Sequence, residues 1–326
     1  MSIRPATHSG SWYLSKPENL SRQLKSFFDK AKGSTVKGAK VIISPHAGYT
    51  YCGSTMAKCY SRLDFDEDIE RVFILGPSHH FYFQNKALIS QYKALETPLG
   101  ELKVDVDVVT KLLESSNLFG KLDPESDEDE HSLEMQFPML YHTIKVAGVD
   151  PTAIKVVPIL ISHNSSEIDY AIGKQLSTYL KEGNSIVIVS SDFCHWGRRF
   201  GYTGYVASSE DIADAIADGT EIETLTARSK IDHCIEIWKS IELLDRYAMD
   251  ILADKAQTKD KYPAWKDYLD VTGNTICGEK PIGVMLCALS ALEKSHHFRW
   301  VGYAQSSHVW SLKDSSVSYA AGYCQI

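Results

Sequence analysis

The chain has 326 residues, is 44% hydrophobic and carries a formal net charge of −8 at pH 7. It is long enough for a large core, and its charge excludes non-specific attraction to nucleic acid or to anionic membrane surfaces. No apolar run approaches the ~20 residues of a membrane span. Residues 1–20 contain Arg4, Lys16 and Glu18 without an apolar stretch, so neither a secretory signal nor membrane insertion is expected. The seven cysteines include no CxxC pair, which fits reduced thiols in an intracellular compartment better than a disulfide framework.

In chain order, Ser15 and Glu18 have capping-box spacing and open a first helix, whose face of Leu20, Leu24, Phe27 and Phe28 stops at Gly33. A strand at 40–44 runs into Pro45-His46. The Gly-rich segment 47–54 reads as a loop before a helix at about 54–62. A second apolar strand, 72–75, ends in Gly76-Pro77 with His79 and His80 at its exit. A strand near 87–90, a turn at Thr97-Pro98-Leu99-Gly100 and a helix to about 117 follow. The acidic segment from Asp123 to Glu130 reads as a solvated loop ahead of a helix over 132–146. If it instead lies over a pocket mouth, Glu134 becomes a supporting residue.

A third strand, 155–161, ends at Ser162-His163, and Asn164 caps a helix to about 181 that Gly183 ends. A fourth, 186–190, leads to Asp192 and His195. Residues 206–255 read as helical, with the longest helix at about 232–252. A tight loop carries Cys277 before a helix from Pro281 to about 294, and strands at 298–304 and 316–324 close the chain.

Four apolar strands thus each deliver a ligand-type residue at the carboxyl end, the edge where open α/β sheets build their sites. One sheet must gather residues spread from 46 to 195, so a single α/β domain spanning 1–326 is expected. His46, His79, Asp192, His195 and Cys277 form the candidate set. Imidazole nitrogens and a thiolate suit iron, copper or zinc, although each histidine taken singly also fits a structural role. Cys277 is either a buried, inert thiol, as expected of Cys59, Cys234, Cys287 and Cys324, or a thiol whose pKa the nearby helix start lowers. Cys52 and Cys194 neighbour the site segments and rank behind it. Tyr49, Tyr51, Tyr82 and Trp196 read as core or pocket wall. A Cys–His hydrolase, with Cys277 as nucleophile and His195 and Asp192 as base and orienter, is a further arrangement of the same residues, without a local signature.

The motifs P-H-A-G-Y-T-Y-C-G (45–53), L-G-P-S-H-H (75–80), D-E-D-E-H-S-L-E-M (127–135), S-S-D-F-C-H-W-G (190–197) and N-T-I-C-G (274–278) resemble those of the Memo family. So do Y-A-Q-S-S and D-S-S-V-S-Y-A-A-G near the carboxyl terminus. Those proteins are named for mediating receptor-tyrosine-kinase-driven cell motility, and the chain looks like a eukaryotic member over its whole length. The resemblance implies a central mixed β-sheet flanked by helices, the fold of class III extradiol (LigB-like) dioxygenases. Those enzymes bind Fe(II) through two histidines and a carboxylate, with a separate histidine as acid/base. By matched motif the metal ligands are His46 and His79, with Cys277 where a carboxylate is expected. Asp192 and His195 line the same pocket and carry any catalytic role. A thiolate is softer and oxidisable, which argues against ring cleavage and leaves open whether the protein is an enzyme. The resemblance further implies iron or copper as cofactor, and a redox- or metal-linked role in growth, motility or invasion. It also implies protein or phosphotyrosine-peptide partners and a cytoplasmic and nuclear location. A non-catalytic phosphotyrosine-peptide module using a vestigial pocket and a metallo-oxidoreductase of unknown substrate are the alternative expectations.

Overall fold

A computed structural model describes residues 3–229, 235–253 and 258–326. Its centre is a twelve-stranded mixed sheet. Arg71–Pro77 lies in the middle, with Lys155–Ile161 on one side and Ser185–Ser190 on the other, both parallel to it. Ala39–Ser44 pairs in parallel with Ser185–Ser190, and Ser316–Gln325 closes antiparallel on it. These strands read as unbroken apolar runs because helices cover both faces, so that nearly every position is buried. On the far side, Lys155–Ile161 pairs with Gly100–Val104, which leads through Ala94–Thr97 to the edge strand Ile3–Arg4.

The expected mixed α/β sheet is observed, and it draws strands from both ends of the chain. Ala39–Ser44, Arg71–Pro77 and Ser185–Ser190 all point their carboxyl ends the same way, in the register Ser44 opposite Ser190 and Leu75 opposite Val189. On one face the helices Ser166–Glu182 and Glu279–Ser290 cross closely. At Gly173 a Cβ would come within 2.7 Å of the Ala288 nitrogen, so only glycine permits that approach.

Several local expectations are corrected. The first helix spans Pro17–Ala31 with Pro17 in its opening turn; Lys16 is the cap residue and the Ser15/Glu18 capping box does not form. The next helix starts at Tyr49, not near 54, because the Gly-rich segment is helical: Gly53 sits where the Phe27 ring would meet a Cβ at 2.3 Å. Asn164 caps no helix, since Ser165 precedes Ser166–Glu182; its side chain instead accepts from the Lys86 N–H and donates to Asp169. The predicted helix at 132–146 is two, His131–Glu134 and Phe137–Val146. Residues 206–255 contain Ser209–Asp218 and Ile237–Ala253 with a short strand, Glu223–Thr224, between them. Cys234 and the predicted start of the long helix lie outside the described residues. Tyr262–Thr272 is a helix that the sequence pattern did not suggest. Among the described residues no helix is long and apolar enough to cross a membrane.

Candidate metal centre

The site forms where three parallel strands end. His46 leaves Ala39–Ser44, His79 leaves Arg71–Pro77, and Asp192 and His195 follow Ser185–Ser190. Cys277 arrives on the loop ahead of Glu279–Ser290. That loop packs against the strand end so tightly that a Cβ at Gly278 would meet the Ser191 Cβ at 2.2 Å. One ligand-type atom from each of His46, His79 and Cys277 lies within 4.8 Å of the others. Cys277 Sγ is 3.1 Å from His46 Nε2.

Hydrogen bonds fix which imidazole nitrogens face this point. His46 Nδ1 lies 2.8 Å from Ser190 Oγ. The Ser190 hydroxyl donates to the Ser132 carbonyl at 2.6 Å and accepts from Gln136 Nε2 at 2.8 Å. Its one proton is therefore used, so His46 Nδ1 must be the donor, and Nε2 keeps its lone pair towards Cys277. His79 Nδ1 donates to Glu130 Oε1 at 2.8 Å, while its main-chain N–H donates to Glu130 Oε2 at 2.7 Å. That leaves Nε2 as the His79 nitrogen available to the site. Burial, reinforced by His79 and His131, holds the His46 pKa well below its ordinary value, so the ring is neutral.

Asp192 and His195 border the set. The Asp192 carboxylate accepts the His46 main-chain N–H at 2.8 Å, and the Asp192 main-chain N–H donates to Cys277 Sγ at 3.2 Å. Burial raises the Asp192 pKa against the charge of His195 and the N–H bonds of His46 and Ala47. His195 Nδ1 faces two main-chain carbonyls, Phe193 at 2.9 Å and Thr275 at 3.2 Å. Both can only accept, so Nδ1 carries a proton. His79, His195 and Cys277 open onto a cavity of about 480 Å³ walled further by His163, Asn274 and Lys280.

The hydrolase arrangement does not form. The imidazole on Cys277 is His46, and His195 Nδ1 is oriented by carbonyls, not by Asp192. Nor is the Cys277 thiol acidified: burial pushes its pKa well above the ordinary value and the Asp192 carboxylate adds to this. These two effects outweigh the helix start two residues on. Tyr49 is buried, with its hydroxyl donating to the Met135 carbonyl, and Trp196 is buried with its indole N–H on the Gly204 carbonyl. Tyr51 and Tyr82 are exposed. Cys52 and Cys194 are buried thiols outside the ligand group, and His80 is outside it too.

The largest correction concerns the acidic segment. It is a short helix, Pro124–Asp129, in place of a loop: Asp123, Glu125 and Asp129 are exposed, but Asp127 and Glu130, and Glu134 beyond them, are each 1% exposed or less. Glu130 holds His79. Asp127 and Glu134 hold Arg4, itself fully buried, at 2.8 and 2.5 Å. Glu134 also accepts from the Tyr13 hydroxyl at 2.7 Å and lies 2.9 Å from His8 Nδ1. These bonds tie residues 4–13 to Asp127 and Glu134, and Trp12 lies over the His131 ring with centroids 4.4 Å apart. Ser190, Glu130 and His131 were not singled out from the sequence. The one available signal was the E-H dipeptide at 130–131 inside a motif already noted.

Strand order and donor set together define a mixed-sheet α/β protein with a sulfur- and imidazole-lined centre at its carboxyl edge. The chain belongs to the Memo-like protein family, whose model matches residues 4–323. The MEMO1 family protein MHO1 of Saccharomyces cerevisiae is 53% identical, with 100% of both chains covered. A MEMO1 family protein of Schizosaccharomyces pombe is 43% identical over 98% of this chain and 97% of its own. Protein MEMO1 of Homo sapiens is 37% identical over 98% and 96%. The solved structure of an uncharacterized Escherichia coli K12 protein aligns over 86% of this chain and 98% of its own, at 10% identity and a TM-score of 0.36, too distant to inform the site.

Proposed function

We propose that this Memo-family protein binds one redox-active metal ion, iron or copper, through His46 Nε2, His79 Nε2 and Cys277 Sγ. The observation that carries the reading is the pair of forced tautomers. Ser190 and Glu130 each take the Nδ1 proton of a histidine, which leaves Nε2 as the nitrogen of each ring available beside the thiol. This is the outer-shell arrangement that orients metal-binding imidazoles. The donor set fits such an ion: two neutral imidazoles and a sulfur favour soft and borderline metals. A cation also supplies the positive charge that the raised Cys277 thiol needs in order to ionise. A bound iron or copper ion supplies one-electron chemistry. Around it, Asp192 holds the His46 main chain and the Cys277 sulfur, and His195 lines the cavity with Nδ1 bonded to carbonyls, which leaves Nε2 for proton exchange with a bound molecule.

From family membership we further take the role to be redox- or metal-linked regulation of growth, motility or invasive behaviour in the cytoplasm and nucleus, with protein partners. The test is anaerobic loading with Cu(I), read by elemental analysis and X-ray absorption. One sulfur-ligated equivalent, abolished in Cys277→Ala and weakened in His46→Ala, is expected. Uptake unchanged in both variants refutes the reading.

A second reading, a phosphotyrosine-peptide module, draws on the cavity wall, where His163, His195 and Lys280 could face an anionic group. Titrating metal-stripped protein with phosphotyrosine peptides tests it; no difference between phosphorylated and unphosphorylated peptide eliminates it.

A further inference from the structure

Next to the ligand set stands an imidazole that the set does not use. His131 opens its short helix with its ring between Trp12, at 4.4 Å, and His79, at 4.3 Å and an interplanar angle of 22°. It is held by its faces: Nδ1 lies 3.6 Å from Glu130 Oε1, beyond hydrogen-bond reach. The same oxygen is 2.8 Å from His79 Nδ1. One donor atom from each of His79, Glu130 and His131 lies within 4.8 Å of the others.

The carboxylate is fixed independently of the rings. Glu130 Oε1 accepts the Ser132 N–H at 2.9 Å and Oε2 accepts the His79 main-chain N–H at 2.7 Å. It would keep its place if the His79 Nδ1 proton departed. We propose that His79, His131 and Glu130 form a second metal site, for a divalent cation such as Fe(II), Co(II) or Zn(II), next to the sulfur-bearing one. Two imidazoles and a carboxylate are the donor set of non-haem iron(II) sites, harder than two imidazoles and a thiolate. The two sites therefore sort metals by softness. They share His79 through opposite nitrogens, Nε2 to the first ion and Nδ1 to the second. Filling the second releases the Nδ1 proton to solvent, turns Glu130 from hydrogen-bond acceptor into ligand and swings the His131 ring out of its stack on His79, because an imidazole ligates through the lone pair in its own plane. With both filled, the His79 ring is an imidazolate bridge, and occupancy of either site alters affinity at the other.

The inference rests on the reading above only through that shared ring, and anaerobic Co(II) titration separates the two. Stoichiometry and the thiolate-to-cobalt charge-transfer band are read on the wild type, His131→Leu and Cys277→Ser. The wild type should take two equivalents and show the band. His131→Leu should take one and keep the band, and Cys277→Ser should take one and lose it. His131→Gln, which keeps a polar side chain in the stack, should lose the same equivalent, so a folding defect in the leucine variant does not decide the matter. A single equivalent in the wild type, unchanged by either His131 substitution, overturns the second site. Two equivalents without any thiolate band overturn the sulfur-bearing site and leave the second standing.

Discussion

Replacing Ser190 with alanine removes one oxygen and, with it, three buried hydrogen bonds. The Ser132 carbonyl loses its donor at 2.6 Å, one Gln136 amide hydrogen loses its acceptor at 2.8 Å, and His46 Nδ1–H loses its acceptor at 2.8 Å. Each buried group left unpaired costs about 1–3 kcal/mol. Gln136 retains the Pro45 carbonyl at 3.0 Å, so the lower end applies to it, and the sum is about 3–7 kcal/mol of stability. The effect on metal is separate. Without an acceptor at Nδ1, the His46 proton is no longer confined to that nitrogen, and the ring loses its orientation. Loss of such a partner lowers metal affinity ~10–100-fold. Urea denaturation of metal-stripped protein measures the first quantity, and Cu(I) competition with a chromophoric chelator measures the second. A Ser190→Ala variant that is destabilised yet binds Cu(I) as tightly as wild type would show that the tautomer is not set by Ser190, and the argument for the ligand pair would fail with it.

Arg4→Met should be among the more damaging single changes outside the site. It leaves Asp127 and Glu134 buried without their cation, a loss of about 3–5 kcal/mol in thermal or urea unfolding. Burial alone would raise the Glu134 pKa, but bonds from His8, Arg4 and Tyr13 and the Arg4 charge bring it down from 4.5 to about 2. The unfolded chain then binds the proton more tightly, so this contribution is complete above about pH 4.5 and is lost as the pH falls towards 2. A urea midpoint that falls through that window in the wild type and falls less in Glu134→Gln confirms the sign; parallel curves contradict it. Gly278→Ala forces a Cβ to within 2.2 Å of the Ser191 Cβ. It should cost about 1–3 kcal/mol by overpacking and move Cys277, read as a weakened or lost Cu–S signal in X-ray absorption.

What could be read from the sequence depended on range. Strand ends show in a linear pattern: apolar runs stopping at His46, at Pro77 before His79, and at Ser190 before Asp192 predicted one shared edge, and the sheet order delivers it. Cys277 stood out locally as a thiol in a tight loop before a helix, but its place as the third ligand came from motif resemblance, since its partner lies 231 positions away. Glu130 was missed because an acidic run looks solvated unless its cations are known. Those are Arg4, which lies 123 residues before Asp127 and 130 before Glu134, and the donors of His79, 51 residues before Glu130. Such pairs have no period. The Ser190 role was hidden for a related reason: a serine at a strand end is ordinary, and only the count of protons around its oxygen makes it decisive.

The strand order also dictates when the centre can exist. Ala39–Ser44, which ends at His46, completes its pairing only when Ser185–Ser190 has joined one flank and Ser316–Gln325 the other. The last of these follows Cys277 in the chain and emerges from the ribosome after every ligand residue. Nascent chains thus hold His46 and His79 before Cys277, and all three before the closing strand. Metal delivery is consequently a step for a chain in which Ser316–Gln325 has already paired, and a protein lacking that strand would leave the sheet open beside His46, although every ligand residue would still be present.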